Sequence, residues 1–489
     1  MKILLPTRKA GNIMLYDVVI IGGGVVGSQI AYALSRYRLR IALVEMHEDC
    51  CMGTSKANSA IVHAGFDAEE GTLKAQLNVR GCSMMEDICR DLCVPYKRNG
   101  SIVCAFSEEE EHELDVLMER GIANGVKDLR ILRGEELFEL EPHLSREVTA
   151  ALYAPSAGIV DPFQLTSGAL EMAARNGCDV IFGFKADGIY SCHDNCVVTS
   201  GSRQVISRYV INAAGLFSDE LMNMTGDRDF EIYPRRGEYM LMDKKVGHLA
   251  STTIFSVPSK KGKGILVSPT VDGNLILGPN ANIVEKYDVS TTAQGLEEIT
   301  TGSLRLIPQI NMRDVITSFA GVRSTPSTHD FVIRPSVKIP NVLHLAGIES
   351  PGLASSPAIA EYAVHKVREM GLELPENEAF VKQRIKAKPF REMSDEEKAE
   401  AIKENPRYGR VICRCEVITE AEIVDAVHRP VGATTLDGLK RRVRAGAGRC
   451  QGGFCMPRSA EILARELDIE LREVSKKGGR SQILTAKTK

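Results

Sequence analysis

Four cysteines near the end of the sequence have the spacing expected of metal ligands. Cys413 and Cys415 form one close pair, and Cys450 and Cys455 form a second pair after residues 416–449. Two helix-start patterns lie between the pairs, so a compact helical hairpin would bring them together. Thiolates bind both zinc and iron–sulfur clusters. The spacing therefore predicts a four-cysteine metal centre without choosing between these two.

A glycine-rich turn near the start of the sequence has the pattern of a dinucleotide site. A short β-branched run at residues 17–21 leads into Gly-Gly-Gly-Val-Val-Gly and then into apolar residues at helical spacing. Gly22 makes the tight turn, Gly24 lets the backbone approach a pyrophosphate at the helix start, and Gly27 lets the helix pack on the strand. A second apolar run ends at Glu45, whose carboxylate would accept ribose hydroxyls and repel the 2′-phosphate of NADP.

Length, composition and charge limit the classes of protein that fit. A chain of 489 residues, 44% hydrophobic and 26% charged, is ordinary for a globular protein and long enough for two or three domains. A net charge of −3 predicts no nucleic-acid partner. No apolar run reaches the ~20 residues of a transmembrane helix. The N-terminal residues lack a signal-peptide pattern, so we expect a cytoplasmic protein.

The remaining cysteines have no ligand spacing and are predicted to be buried apolar residues. They are Cys82, Cys89, Cys93, Cys104, Cys178, Cys192 and Cys196, with the adjacent pair Cys50 and Cys51, which we interpret as structural or incidental. Such a content of free thiols fits a reducing compartment.

The segments between these motifs predict a parallel framework and a separate antiparallel sheet. Small and polar residues at 54–67 provide N–H groups and hydroxyls for a diphosphate. The apolar strand at 209–215 ends in small residues, which lets backbone pass close under a cofactor. We predict helices at 71–92 and 357–370 and antiparallel strands at 236–242, 264–268 and 274–278.

Five segments, in this order, resemble the D-amino-acid-oxidase-like superfamily of FAD oxidoreductases. They are residues 22–27, 55–67, 212–215, 234–239 and 350–357. Within that superfamily the sequence is most similar to glycerol-3-phosphate oxidases and dehydrogenases and to L-2-hydroxyglutarate oxidases. The resemblance implies an α/β plus α+β fold, in which a Rossmann-type FAD-binding domain carries an inserted antiparallel-sheet substrate domain.

The resemblance also implies which residues contact FAD. Besides the glycines and Glu45 named above, the expected contacts are Val25, Val26, Ser55, Asn58, Ser59, Ala214, Gly215, Gly347, Gly352 and Leu353.

Candidate catalytic residues follow from the same matches. His63 stands where the family places a histidine beside the flavin ring, and an imidazole suits the base that removes a hydroxyl proton. The alternative is a histidine with no proton to move. Arg323 follows a strand and would hold an anionic substrate bidentately, unless it makes a structural ion pair.

Two further candidates concern substrate binding. Lys263 resembles the lysine that glycerol-3-phosphate oxidases direct at their substrate, although a surface lysine is an equal alternative. Ser350 precedes a glycine turn and would hydrogen-bond the substrate. Arg236 and Tyr239 either line the pocket or pack in the sheet.

The second cysteine pair carries an independent resemblance. Residues 449–455 resemble the bacterioferritin-associated-ferredoxin-like [2Fe–2S] domain at the C-terminus of anaerobic glycerol-3-phosphate dehydrogenase catalytic subunits. The resemblance implies a [2Fe–2S] cluster held by the four cysteines, with a structural zinc site as the alternative.

These observations divide the chain into five parts. The expected parts are an extension at 1–15, the FAD-dependent oxidoreductase at 16–375, a linker with a short helix at 376–408, the [2Fe–2S] domain at 409–470 and a tail at 471–489. We expect a separable cluster domain and a disordered tail from residue 476. The basic run at 382–391 is either solvated or docked on an acidic surface.

Together the patterns predict an FAD-dependent dehydrogenase of a small anionic 2-hydroxy compound, foremost sn-glycerol 3-phosphate. The cluster would pass electrons to a second flavoprotein or another acceptor subunit, through which the protein would meet the membrane only peripherally. An L-2-hydroxyglutarate dehydrogenase and an amine or opine dehydrogenase subunit are the alternatives on the same fold. A non-catalytic electron-transfer subunit is the alternative of another class.

Overall fold

The computed structural model describes residues 14–257 and 264–486. Its strands are β1 (Leu15–Ile21), β2 (Ile41–Val44), β3 (Ile61–Val62), β4 (Tyr96–Lys97), β5 (Ser101–Ala105), β6 (Arg130–Arg133), β7 (Ala150–Ala154), β8 (Gly158–Val160), β9 (Asp179–Ile181), β10 (Gly188–Cys192), β11 (Asn195–Ser200), β12 (Arg203–Asn212), β13 (Ile232–Met242), β14 (Thr253–Ser256), β15 (Leu266–Pro269), β16 (Leu275–Gly278), β17 (Asn282–Ile283), β18 (Val315–Pro326), β19 (Val332–Pro335), β20 (Val342–Ala346), β21 (Val411–Cys413) and β22 (Ile418–Thr419).

The α-helices lie between and after these strands. They are α1 (Val25–Leu34), α2 (Leu73–Asp91), α3 (Glu108–Ala123), α4 (Gly134–Leu140), α5 (Pro162–Arg175), α6 (Ser218–Thr225), α7 (Ala293–Leu306), α8 (Gly352–Glu369), α9 (Asp395–Glu404), α10 (Glu420–His428), α11 (Leu436–Val443) and α12 (Met456–Leu467).

The first sheet has eight strands and is built around β1. Strand β1 pairs in parallel with β2 on one side and β12 on the other, and β12 pairs in parallel with β20. Val18 and Ile20 pack in the core under α1, α5 and α8, whereas Val19 and Ile21 pack on the opposite face. Both faces of β1 are therefore covered, which explains its unbroken apolar run and confirms the Rossmann-type framework.

The second sheet has nine strands and supplies the long wall of the main cavity. Its path runs β17-β13-β16-β15-β14-β5-β7-β6, with β18 along the other edge of β13. All its pairings are antiparallel except that of β14 with β5. The three antiparallel strands expected at 236–278 are confirmed as β13, β15 and β16.

The last helix of the flavin domain begins earlier than the sequence predicts. Pro357 indicates a helix start at that residue, but α8 begins at Gly352 and contains the proline. A proline inside a helix leaves the carbonyl four residues earlier, here that of Leu353, without its N–H donor. The Ser356 hydroxyl donates to this carbonyl at 2.9 Å, which removes most of the penalty.

The basic linker docks on the flavin domain and is not a solvated tether. Arg384 is buried and donates to Glu171 of α5 at 2.5 Å, and Lys382 pairs with Asp91 at 2.9 Å. The short helix expected in the linker is α9, which begins in a capping box at Ser394. Of the two readings that the sequence leaves open, docking on acidic groups is therefore the one observed.

The C-terminal domain packs α10, α11 and α12 on the small β21–β22 hairpin around its own apolar core. The first of the two helix-start patterns expected between the cysteine pairs is confirmed, since α10 begins in a capping box at Thr419. The tail does not detach at 476 as predicted. Lys476 pairs with Asp437, and the Gly479 N–H donates to Glu48 at 2.7 Å, because the tail returns across the domain to the flavin domain.

A buried ion-pair cluster joins the C-terminal domain to the dinucleotide-binding domain. Asp49 lies in the loop after β2 and accepts two hydrogen bonds from Arg442, at 2.7 and 2.8 Å, and one from Arg441 at 2.5 Å. Burial raises the pKa of Asp49, but the bonds and charges of the two arginines outweigh it, so that pKa is lowered. Buried ion pairs thus join the C-terminal domain to the dinucleotide-binding domain, while its separability stays a prediction.

A second ion-pair cluster joins the same domain to the nine-stranded sheet. Glu416, next to Cys415, binds Arg444 at 2.8 Å and Lys244 at 2.9 Å. Asp272 in the β15–β16 turn binds Arg444 at 2.6 Å. The C-terminal domain thus contacts both sheets. Among the helices that the structure describes, none is both long and apolar enough to cross a bilayer.

We predict that Asp49→Asn loosens the C-terminal domain. Both arginines would remain buried opposite a neutral amide, and removal of one partner from a buried ion pair costs about 3–5 kcal/mol. Hydrogen–deuterium exchange across α11 should accelerate accordingly, and protease should cleave the linker faster.

Glu361→Gln is the matched control, since Glu361 pairs with Arg80 on the exposed surface. Loss of such a pair costs about 1 kcal/mol or less. Equal exchange in the two variants would show that Asp49 does not hold the domain.

Candidate active site and iron–sulfur centre

One large cavity lies between the two sheets and contains most of the predicted site. Its volume is ≈ 1340 Å³. It extends from the β1–α1 turn, past the loop after β2, to the inner face of β13 and β18. Among the predicted cofactor residues, those that line it are Gly22, Gly24, Val25, Val26, Glu45, Ser55, Asn58, Ser59, Ala214, Gly215, Gly352 and Leu353.

The glycines of the β1–α1 turn occupy positions where a side chain does not fit. Gly22 has φ +118°, and a Cβ there would overlap the Ala213 carbonyl. A Cβ on Gly27 would overlap the Gly22 carbonyl, because helix α1 crosses the turn at backbone contact. Gly27 therefore serves packing and does not line the cavity. Gly347, also predicted as a cofactor contact, is likewise absent from the lining: it turns at φ +65° against Pro326.

Polar groups at the helix start form a cradle suited to a nucleotide. The Glu45 carboxylate accepts the Gly23 N–H at 2.7 Å and the His47 N–H at 3.0 Å, while burial raises its pKa. The Val25 N–H, in the first turn of α1, donates to the Ser55 hydroxyl at 2.9 Å. Carboxylate and helix-start amides thus lie together at one end of the cavity, as ribose and pyrophosphate recognition requires.

The loop after β2 is shaped by Asn58. Its side-chain amide donates to the Thr54 and Ser55 carbonyls, and its Oδ1 accepts the Ala60 N–H at 2.8 Å. The side chain borders the cavity, but its hydrogen bonds hold the loop that carries Ser55.

Three of the four predicted catalytic residues come together in this cavity. His63, Arg323 and Ser350 all line it, and the His63 Nε2 lies 3.5 Å from the Ser350 hydroxyl. The His63 carbonyl accepts the Asn78 amide at 2.7 Å, which fixes its backbone. Lys263 lies outside the described residues, so its position stays a prediction.

Arg323 faces a second arginine that sequence reasoning missed. The β13–β18 register places Arg235 directly opposite Arg323, and both line the cavity. Arg323 donates to the Asn280 carbonyl at 2.8 Å, and within residues 14–257 and 264–486 it forms no ion pair. Like charges directly across a ladder repel each other, which makes the site attractive to an anion. A period-two pattern on β13 hints at Arg235, but only the register shows the pairing.

The sequence left open whether Arg236 and Tyr239 of β13 line the pocket or pack in the sheet, and the structure gives a different answer for each. Arg236, on the opposite face, pairs with Glu238 at 3.2 Å and Asp288 at 2.6 Å and is therefore a packing residue. Tyr239 lines the cavity and stacks on Phe319 with ring centroids 4.9 Å apart. The cavity wall is thus cationic near Arg323 and aromatic near Tyr239.

The four C-terminal cysteines come together as two pairs. The Cys415 and Cys450 sulfurs are 3.6 Å apart. Two thiolates at about 2.3 Å from one tetrahedral metal would be separated by about 3.8 Å, so this pair fits one metal of a cluster. Among the described residues, no His, Cys, Asp and Glu side chains form a group of three or more that could hold a single metal ion.

Cys413 and Cys455 form the other spatial pair, and their shared hydrogen bond favours the thiolate form of Cys413. A hydrogen bond from the Cys455 thiol, with the N–H groups of Gly446 and Glu416, outweighs burial and lowers the pKa of Cys413 to about 6. A thiol with a low pKa is largely thiolate at neutral pH, which is the form that coordinates metal. In a [2Fe–2S] cluster each iron takes two such ligands, so two pairs fit the donor set.

Comparison with known proteins agrees with both sites. Residues 17–366 match the FAD dependent oxidoreductase family, and residues 411–465 match the BFD-like [2Fe-2S] binding domain. The chain belongs to the FAD-dependent oxidoreductase family. Its cofactors are FAD and a [2Fe–2S] cluster, and the zinc alternative is set aside.

Three similar proteins illustrate the relationship. A glycerol 3-phosphate dehydrogenase of Caloramator mitchellensis is 45% identical over 97% of this chain and 99% of that protein. A mitochondrial L-2-hydroxyglutarate dehydrogenase of Caenorhabditis elegans is 30% identical over 73% of this chain and 94% of that protein. The structure of the reduced, FAD-bound L-alpha-glycerophosphate oxidase of Mycoplasma pneumoniae matches with TM-score 0.73 at 30% identity, covering 77% of this chain and all of that one.

We expect the wild-type protein to carry one FAD per chain, which acid releases. We predict that Gly27→Ala causes loss of this FAD. Overlap with the Gly22 carbonyl pushes α1 off the turn, and overpacking of this kind costs about 1–3 kcal/mol. FAD retained after gel filtration, read by its absorption, should fall about tenfold.

Gly409→Ala is the control, because a Cβ there meets only Ile402 at ordinary contact distance. Full FAD content in the Gly27 variant would exclude the proposed role of the turn.

Proposed function

We propose that this flavoprotein is a dehydrogenase of sn-glycerol 3-phosphate that passes electrons through its [2Fe–2S] cluster. The observation that carries the proposal is the grouping of His63, Arg323 and Arg235 in the cavity that also contains the nucleotide cradle. The name of the 45% identical relative, a glycerol 3-phosphate dehydrogenase, supports the same substrate.

His63 and Ser350 are the groups that would handle the substrate hydroxyl. Bound FAD supplies the acceptor for a hydride from the carbon that carries this hydroxyl. The imidazole Nε2 of His63 would accept the hydroxyl proton, so that the alcohol becomes the ketone of dihydroxyacetone phosphate. The Ser350 hydroxyl, 3.5 Å from Nε2, would orient the imidazole or the substrate oxygen.

The two arginines would hold the phosphate. Guanidinium groups bind phosphate through paired N–H donors, and a dianion satisfies both members of a facing pair. Arg323 is already oriented by the Asn280 carbonyl, which leaves its other N–H groups for a ligand. Lys263 is a third proposed cation on the sequence evidence alone.

We further propose Cys413, Cys415, Cys450 and Cys455 as the cluster ligands. FAD takes two electrons from an alcohol and the cluster transfers one at a time, so the cluster would serve onward transfer to a second flavoprotein or another acceptor protein. We propose the cytoplasm as the location, with membrane contact only through that acceptor.

An L-2-hydroxyglutarate dehydrogenase is the second candidate, supported by the 30% identical relative of that name. Its substrate carries carboxylates where glycerol 3-phosphate carries a phosphate dianion. A facing arginine pair suits the doubly charged phosphate better than a single carboxylate.

We expect glycerol 3-phosphate to bleach the flavin faster than L-2-hydroxyglutarate under anaerobic conditions, as measured by stopped-flow absorption.

Arg323→Ala should lower kcat/KM for glycerol 3-phosphate by about 30- to 1000-fold, since a bidentate charged contact contributes roughly 2–4 kcal/mol. FAD content should stay unchanged.

Arg313→Ala, at an exposed arginine just before β18, is the control and should behave like wild type. Faster bleaching by L-2-hydroxyglutarate would transfer the assignment to the second candidate. Absence of bleaching by either compound, or by an amino acid, would favour a non-catalytic electron-transfer subunit.

We predict that Cys450→Ser abolishes the cluster but not substrate oxidation. A hydroxyl is a poor replacement for a thiolate ligand. The cluster's own visible absorption and its EPR signal in the reduced state should therefore disappear, while the absorption of the flavin remains. The first flavin reduction should persist, and steady-state turnover with the physiological acceptor should collapse.

Cys192→Ser, in the β10–β11 hairpin of the flavin domain, is the matched control. Continued turnover of the Cys450 variant would reject the relay, and zinc in the anaerobically purified wild type would reject the cluster.

A further inference from the structure

The most exposed large apolar residue of the described chain lies between two cluster cysteines. Phe454 is 86% exposed and stands immediately before Cys455. Val417, two residues after Cys415, is 38% exposed. A lone exposed apolar residue needs no explanation, but a phenyl ring in the ligand loop of a redox centre lies where a protein partner would approach.

Unpaired arginines surround the same loop. Arg414 lies between Cys413 and Cys415, and Arg458 lies three residues after Cys455 in the first turn of α12; both are exposed. Neither forms an ion pair with any residue of the ranges 14–257 and 264–486. The chain as a whole has a net charge of −3, so this local excess of positive charge is not a general property of its surface.

Two of the four ligand cysteines are accessible to solvent and two are not. Cys413 and Cys455 are buried, whereas Cys415 is exposed and Cys450 is half-buried. The inner side is covered by Glu416 and its partners Lys244 and Arg444 at the junction with the nine-stranded sheet. Cys415 and Cys450 therefore form the accessible edge of the cysteine group, in the same two loops as Phe454, Val417 and Arg414.

We propose that Phe454, Val417, Arg414 and Arg458 form the docking surface for an acidic electron-carrier protein. The inference rests on the proposed relay function. In each encounter the reduced cluster loses one electron and the oxidised carrier gains it, and no proton or bond changes hands. Two encounters remove the two electrons of one substrate molecule. The arginines attract the carrier, and Phe454 fills the apolar centre of the contact.

The experiment uses the intact protein and two haem proteins of opposite charge, acidic cytochrome b5 and basic cytochrome c. Surface plasmon resonance measures binding at low and high ionic strength, and absorption measures cytochrome reduction by substrate. In Arg414→Gln/Arg458→Gln, association with cytochrome b5 should slow by about tenfold at low salt, and the difference should vanish at high salt. Phe454→Ser should accelerate dissociation at both salt concentrations.

Arg38→Gln/Arg175→Gln removes two exposed arginines of the dinucleotide-binding domain and is the matched control. Flavin bleaching and cluster absorption, measured on every variant, separate failure of the relay function from failure of docking. If flavin bleaching and cluster absorption are both intact, any of three results would contradict the proposed docking surface. They are tighter binding of cytochrome c than of cytochrome b5, no binding of cytochrome b5 at low salt, or an equal loss of cytochrome b5 association in the control variant.

Discussion

The structure depends first on the backbone contact between helix α1 and the turn that precedes it. Gly27 touches the Gly22 carbonyl, so the helix start and its free N–H groups lie directly at the end of β1. Glu45, immediately after the neighbouring strand β2, then accepts the Gly23 N–H. Because the turn and the helix meet at backbone contact here, a Cβ added at Gly22 or Gly27 would overlap a carbonyl and force the backbone apart.

Buried carboxylates determine how the two redox domains are joined. Asp49 follows the strand that carries Glu45, and its bonds to Arg441 and Arg442 connect the dinucleotide-binding loop to α11. If one partner were removed, the remaining charges would be costly to bury. The stability of this contact therefore depends on all three residues being present. Glu416 repeats the arrangement next to the cysteines and against the nine-stranded sheet. The cluster domain is thereby fixed to both walls of the flavin cavity.

The cavity separates its functions along its length. The glycine turn and Glu45 lie at one end of the cavity and provide the amides and the carboxylate that suit pyrophosphate and ribose. Arg323 and Arg235 make the other end cationic. His63 and Ser350 line the same cavity, and the proposed function assigns the substrate hydroxyl to them. Under the proposed function, an anionic ligand would relieve the repulsion between the two facing arginines.

The sequence alone determined the local structural motifs, because each of them depends on residues that are close together in the chain. The βαβ unit around Gly22, the caps at Ser394 and Thr419 and the two cysteine pairs follow from spacing and backbone propensity. Only the tertiary structure decided the pairing of Arg235 with Arg323, since the register of two strands some 80–90 residues apart in the chain is set by packing. The same holds for Asp49 and Arg442: neither residue has a local pattern that identifies the other, because their partnership arises from the burial of two distant surfaces against each other.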